Sequence, residues 1–161
     1  KKLLIMNYLA ILVAALSTFV LGAIWYNPKV FGTAWMKETG LTEEQLKKGN
    51  MAKIFGFAFV FAFLIAFLMP TLVNHEIGAI QAAGGDANDP ALIEFLKVHG
   101  GKFRSFKHGA LHGTFIGIFL ALPILGTTFL FEQKSWKYIF IHAGYWIVSF
   151  AIMGAIICGW V

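Results

Sequence analysis

Hydrophobic positions in this chain fall into four long runs, and polar positions are largely confined to the stretches between them. The runs cover residues 3–26, 52–73, 107–131 and 138–161. Each supplies the roughly 20 residues that a helix needs to cross the hydrocarbon core of a bilayer. Phe55, Phe57, Phe59, Phe61 and Phe63 alternate as they would in a strand, but the unbroken apolar length decides for helix. With Phe67 they place aromatics on every side of the second run, which predicts wide exposure to lipid. The expected fold is all-α: a four-transmembrane-helix bundle, one integral membrane domain over residues 1–161, with both termini on one side. The first run exceeds the apolar core of a cleaved leader, about 7–15 residues, and reads as a retained span. Met6 is the expected native start, with Lys1 to Ile5 belonging to whatever precedes it.

The intervening stretches carry their own periodicity. Asn27-Pro28 reads as a cap followed by proline in the first turn, opening an interfacial helix over 28–37 with Val30, Phe31, Ala34 and Trp35 on one face. Gly40 ends it. Thr42-Glu43-Glu44-Gln45 is a capping box that starts a second short helix over 43–48. Asp89-Pro90 opens a third, over 90–99, stopped by Gly100-Gly101. Pro70 and Pro123 predict bends in the second and third spans, with Thr127 and Thr128 placed to satisfy freed backbone groups. The turn at 132–137 makes the last two spans an antiparallel hairpin.

Within the spans, small residues recur at spacing four. Gly109, Gly113 and Gly117 form one ridge on the third span, and Ala10, Ala14, Thr18 and Gly22 form another on the first. In lipid no hydrophobic drive joins helices, so close backbone approach along such ridges does. Two ridges and six scattered phenylalanines look like more than four helices can cover. Self-association, or incorporation with other membrane subunits, is therefore the expected role of the surplus. Composition agrees with a membrane location: 58% of residues are hydrophobic and only 13% charged, against roughly 25% charged in soluble domains. The net charge of +5 comes from lysines near span ends, and no basic patch with interleaved aromatics marks a nucleic-acid surface. Cys158 is the sole cysteine and lies in an apolar run, as expected of an inert buried thiol.

Candidate chemistry is sparse. His108 and His112 share a helix face at spacing four, and His75 ends the second span on the same side, so the three can converge on one metal ion. The glutamate of the zincin pattern is missing, since residue 109 is glycine. A haem between His112 and His142 fails, because the two lie near opposite faces of the membrane. On the fourth span His142, Tyr145, Trp146 and Ser149 share a face suited to a lipid, quinone or other apolar molecule. No acid, lysine or arginine lies in the central part of any span, which disfavours ion-coupled transport. Neither a Gly-x-Ser-x-Gly turn nor a serine with histidine and acid at plausible depth is present. The expectation is a non-enzymatic protein with no cofactor.

Trp25-Tyr26-x-Pro28, Phe31-Gly32-x-x-Trp35-Met36, Ser135-Trp136-Lys137, Ala143-Gly144-Tyr145 and Met153-Gly154 occur in that order from one end of the chain to the other. This series resembles the membrane family catalogued as domain of unknown function 1761. The resemblance implies a small prokaryotic protein of four spans in the cell (inner) membrane, and brings no activity or catalytic residue with it. The Asn74–Phe106 loop is the part that matches least. On residues alone, the reading is a helix-packing protein acting as an oligomer or accessory subunit. Binding of an apolar molecule, or of a metal at His75, His108 and His112, are the alternatives.

Overall fold

A computed structural model describes residues 6–86 and 88–160. The described residues are helical and loop, without strands, and four helices are long and apolar enough to cross a membrane. The first is α1 (Tyr8–Trp25). A π-helical turn (Pro28–Gly32) then leads into α2 (Thr33–Thr39), followed by α3 (Glu43–Lys47). The second span is α4 (Met51–Val73); after it come α5 (His75–Ala82) and α6 (Pro90–His99). The third span, Phe106–Phe131, is built from α7 (Phe106–Ile116), a second π-helical turn (Gly117–Ala121) and α8 (Leu122–Phe131). The fourth is α9 (Trp136–Gly159).

Side-chain caps set most of these boundaries. Asn50, Ser105 and Ser135 each accept a backbone N–H from the first turn of α4, α7 and α9. Thr42 and Gln45 form the capping box expected at α3. Asn7 accepts from the Ala10 N–H at 3.0 Å and so begins α1 at Tyr8, later than the apolar run suggests. The predicted start at Leu3, the residues Lys1 to Ile5, loop residue Ala87 and the predicted end at Val161 lie outside the described residues. At 18 residues α1 spans about 27 Å, close to the thickness of the hydrocarbon core.

Two features depart from expectation. Residues 75–82 form a helix where a loop is expected, and Asn74 alone, in extended conformation, separates it from α4. At Pro123 the third span does not simply lose a hydrogen bond: the preceding turn widens, and the Leu122 N–H bonds the Gly117 carbonyl five residues back. Thr128 bonds the carbonyl of Ile124, so it does not serve the carbonyl that the proline deprives of its donor.

The bundle is organised around α9, which packs most extensively on α7 and also against α1, α4 and α8. The seam between α7 and α9 is made by the glycine ridge. A Cβ on Gly109 would collide with the Gly154 carbonyl, and one on Gly113 with the carbonyl of Phe150. One on Gly117 would stand 2.5 Å from the Ile147 Cα. Backbone therefore meets backbone along this seam, as small-residue ridges permit. The other ridge is also covered: Ala10, Ala14 and Thr18 are buried, and Gly22 lies under Tyr145 with ordinary van der Waals room. The two seams expected to exceed what four helices can cover are thus both filled within one chain. Phe55, Phe57, Phe61 and Phe67 point outward as expected, whereas Phe59 and Phe63 are half-buried and pack against the core.

Candidate metal centre

At the membrane end that carries the Asn74–Ser105 segment, the fold gathers three histidines. Asn74 caps α5 by accepting from the Glu76 N–H at 3.1 Å, which puts His75 at the first helical position. Ser105 caps α7 by accepting from the His108 N–H at 3.2 Å. His112 follows one turn later, on the same face. The remaining ridge of α7 is locked against α9, so the orientation of this face is set by the glycine seam.

The result is a convergent set. One ring nitrogen from each of His75, His108 and His112 lies within 4.8 Å of the other two. The Nε2 atoms of His75 and His108 are 2.8 Å apart, a hydrogen bond in which one ring donates and the other accepts. The His112 ring centroid stands 4.5 Å from that of His108 and 5.1 Å from that of His75. Ligands of a tetrahedral zinc, at about 2.0–2.1 Å from the ion, sit about 3.3 Å from each other. Opening the His75–His108 pair by roughly half an ångström and drawing His112 inward would meet that geometry. A helix end with its positive partial charge facing a cation costs at most about 1 kcal/mol at an exposed site. Coordination by three neutral imidazoles is the larger effect.

Phe103 lies against two of the three rings. It lies nearly parallel to His108, with centroids 5.0 Å apart, and edge-on to His75 at 5.6 Å. It holds a left-handed backbone (φ 70°), and its carbonyl accepts from the buried Cys158 thiol at 3.4 Å. A cleft of about 270 Å³ adjoins His75, with Glu76, His99 and Lys102 among its walls. Glu76 is already engaged, accepting from the Gly101 N–H.

The other membrane end holds a different histidine. His142 Nδ1 lies 3.3 Å from the Tyr26 hydroxyl, and its ring is enclosed by Tyr138, Phe129 and Tyr26. Burial, with Tyr145 and Tyr138 close by, pushes the Tyr26 phenol well above its ordinary range, so it stays neutral. Whichever way the proton points in that bond, the buried His142 Nε2 has no partner among the described residues. The fourth-span face of His142, Tyr145, Trp146 and Ser149, expected to be open for an apolar ligand, lies against α1 instead. Tyr145 donates to the Thr18 carbonyl at 3.1 Å, Trp25 Nε1 to the Ile141 carbonyl at 3.1 Å, and Ser149 is buried. The reason is steric: Trp25 and Tyr26, at the end of the first span, fold back over this face.

Several motif residues acquire roles here. Gly144 makes room for Trp25, whose indole would stand 3.0 Å from a Cβ placed there. Gly32 has the Tyr26 carbonyl where its Cβ would be, and Trp25 meets Phe31 at 4.6 Å between centroids while Tyr26 meets Trp35 at 5.5 Å. Gly154 is the partner of Gly109. Trp136 remains exposed beside Phe140. The sequence reading missed Phe103 against the triad and Tyr26 on His142. The latter had a signal, because positions 26 and 142 fall at the same end of antiparallel spans.

Comparison with curated proteins and with solved structures gives no match. Residues 9–158 match the family described as Protein of unknown function (DUF1761). This covers nearly the whole chain, bundle and motifs together, and the protein therefore belongs to that family.

Proposed function

We propose that this protein is a multi-pass membrane protein of the cell (inner) membrane that binds a divalent transition-metal ion, zinc-like in preference, through His75, His108 and His112. The observation that carries this reading is the convergence of three ring nitrogens, brought from two helices 33 residues apart in sequence, within 4.8 Å. A histidine–histidine hydrogen bond accounts for two of the rings but not for His112. Three protein ligands leave one coordination position open to water or substrate, the arrangement of exchangeable rather than closed structural sites. The alternative role, helix association, has lost its seams: both small-residue ridges are covered inside the chain.

The test uses the full chain in mild detergent, stripped with chelator and titrated with cobalt(II). One ion per chain with tetrahedral visible absorption, lost in the H75A, H108A and H112A variants, is the expected result. Acid should release the ion, because ligating imidazoles must be unprotonated. Uptake no greater than that of the triple variant would overturn the proposal.

A further inference from the structure

A second recess, of about 350 Å³, lies between α1, α4, α5 and α9. Pro70, Ile77, Ile157 and Trp160 give it apolar walls, and Asn7, Asn74 and Arg104 supply its polar groups. The chemistry of those three is one-sided. Asn7 Oδ1 accepts from the Ala10 N–H and Asn74 Oδ1 from the Glu76 N–H, which turns each amide oxygen toward its own helix and leaves each NH₂ free to donate. Arg104 has donors only; its buried Nε has no hydrogen-bond partner, and no carboxylate pairs with it among the described residues. No Asp or Glu lines the recess, and the carboxylate of Glu76 is held by Gly101. An apolar recess at a membrane end whose polar groups among the described residues are a guanidinium and two amide NH₂ groups, with no carboxylate in its lining, has the character of an anion site. Arg104 carries the charge of this lining, and a cation set in an apolar wall favours an anionic partner.

The geometry points to this recess as a binding site for a single-chain amphiphile with an acidic head, either carboxylate or phosphate. Arg104 and the two asparagine amides hold the head, and Pro70, Ile77 and Ile157 contact the start of the chain. The site is separate from the histidine triad and does not depend on metal. Its position at the end of the spans lets the head stay near the headgroup layer while the chain follows the bundle surface. Arginine suits this task better than lysine, because its planar fork meets two oxygens at once.

The experiment measures equilibrium binding of radiolabelled oleate and of lysophosphatidate to the delipidated full chain in detergent. Neutral monoolein serves as the chain-only control and inorganic phosphate as the head-only competitor. At least one acyl anion should bind tenfold or more tightly than monoolein, and millimolar phosphate should compete weakly. Preference for oleate or for lysophosphatidate assigns the head as carboxylate or phosphate, and either supports the inference. Arg104→Gln should weaken acyl-anion binding tenfold or more, and Ile77→Trp, which fills the recess but leaves the charge, should weaken it comparably at unchanged melting temperature. Equal binding of monoolein, or full affinity in both variants, would overturn the inference. Displacement by phosphate alone at the same affinity would make this a small-anion site and overturn it too. Should Arg104→Gln fail to fold, Ile77→Trp decides.

Discussion

Two ridges run side by side along α7, and the fold treats them in opposite ways. Gly109, Gly113 and Gly117 meet the backbone of α9 so closely that a methyl group has nowhere to go. His108 and His112, one position away from Gly109 and Gly113, face His75 and Phe103 across a surface that stays half-open. One ridge supplies rigidity and the other supplies chemistry. The lesson is that the first makes the second possible: a helix clamped along one edge cannot roll, so the histidines on its neighbouring edge hold their bearing without a shell of their own.

The sharpest way to break this comparison is Gly113→Ala. The added methyl would sit on the Phe150 carbonyl, and neither backbone can yield cheaply. Overpacking of this kind costs about 3 kcal/mol or more, well beyond the roughly 1 kcal/mol that alanine gains in helix propensity. Thermal unfolding in detergent should show a large loss, or the folded protein should not accumulate; wild-type stability would mean the seam is looser than described. On the other ridge, His108→Ala should leave the melting temperature of the metal-free protein nearly unchanged but cut cobalt affinity on the order of a hundredfold. That figure is about 3 kcal/mol of a coordination energy shared among the ligands. A variant that melts early and binds metal normally would reverse the assignment.

Smaller effects sharpen the contrast elsewhere. Tyr26→Phe removes the bond to His142 Nδ1 and should cost about 1 kcal/mol, read as a drop in melting temperature with metal binding unaffected. Gly56→Ala tests the opposite extreme, since nothing lies within 4 Å of the position a Cβ would take there. It should stabilise by up to about 1 kcal/mol, because alanine replaces glycine in a helix with open space around it. Destabilisation there would show that α4 has a partner at that face.

How much of this was legible in the sequence depended on how local the cause was. The four spans were legible because apolar length alone specifies them, and the starts of α3 and α6 because Thr42 and Asp89 are capping residues. The glycine seam was visible as a pattern, but its partner was not: which helix a ridge meets is decided by packing among all four. His108 and His112 announced themselves by spacing, and His75 by lying at the same membrane end. Phe103 and Arg104 did not, because their placement follows from a left-handed turn at Phe103, a conformation that a phenylalanine gives no sign of adopting. Likewise α5 escaped, since His75-Glu-Ile-Gly-Ala-Ile-Gln-Ala82 is too short and too mixed to show a stripe. The widened turn escaped because Gly-Ile-Phe-Leu-Ala reads as ordinary helix.

That widened turn, Gly117–Ala121, works as a phase shifter. An α-helix advances about 100° per residue, so bonding five rather than four residues back lets one extra residue enter without forcing everything beyond it to rotate. Relative to the half carrying the clamp and the histidines, the turn thereby sets the phase of the half beyond Leu122. There Gly126 meets α9 only at the Ile139 side chain, 4.0 Å from where its Cβ would be. A side chain added in the distal half therefore meets looser packing against α9 than one added on the clamped ridge, so the two halves of one continuous rod tolerate change unequally.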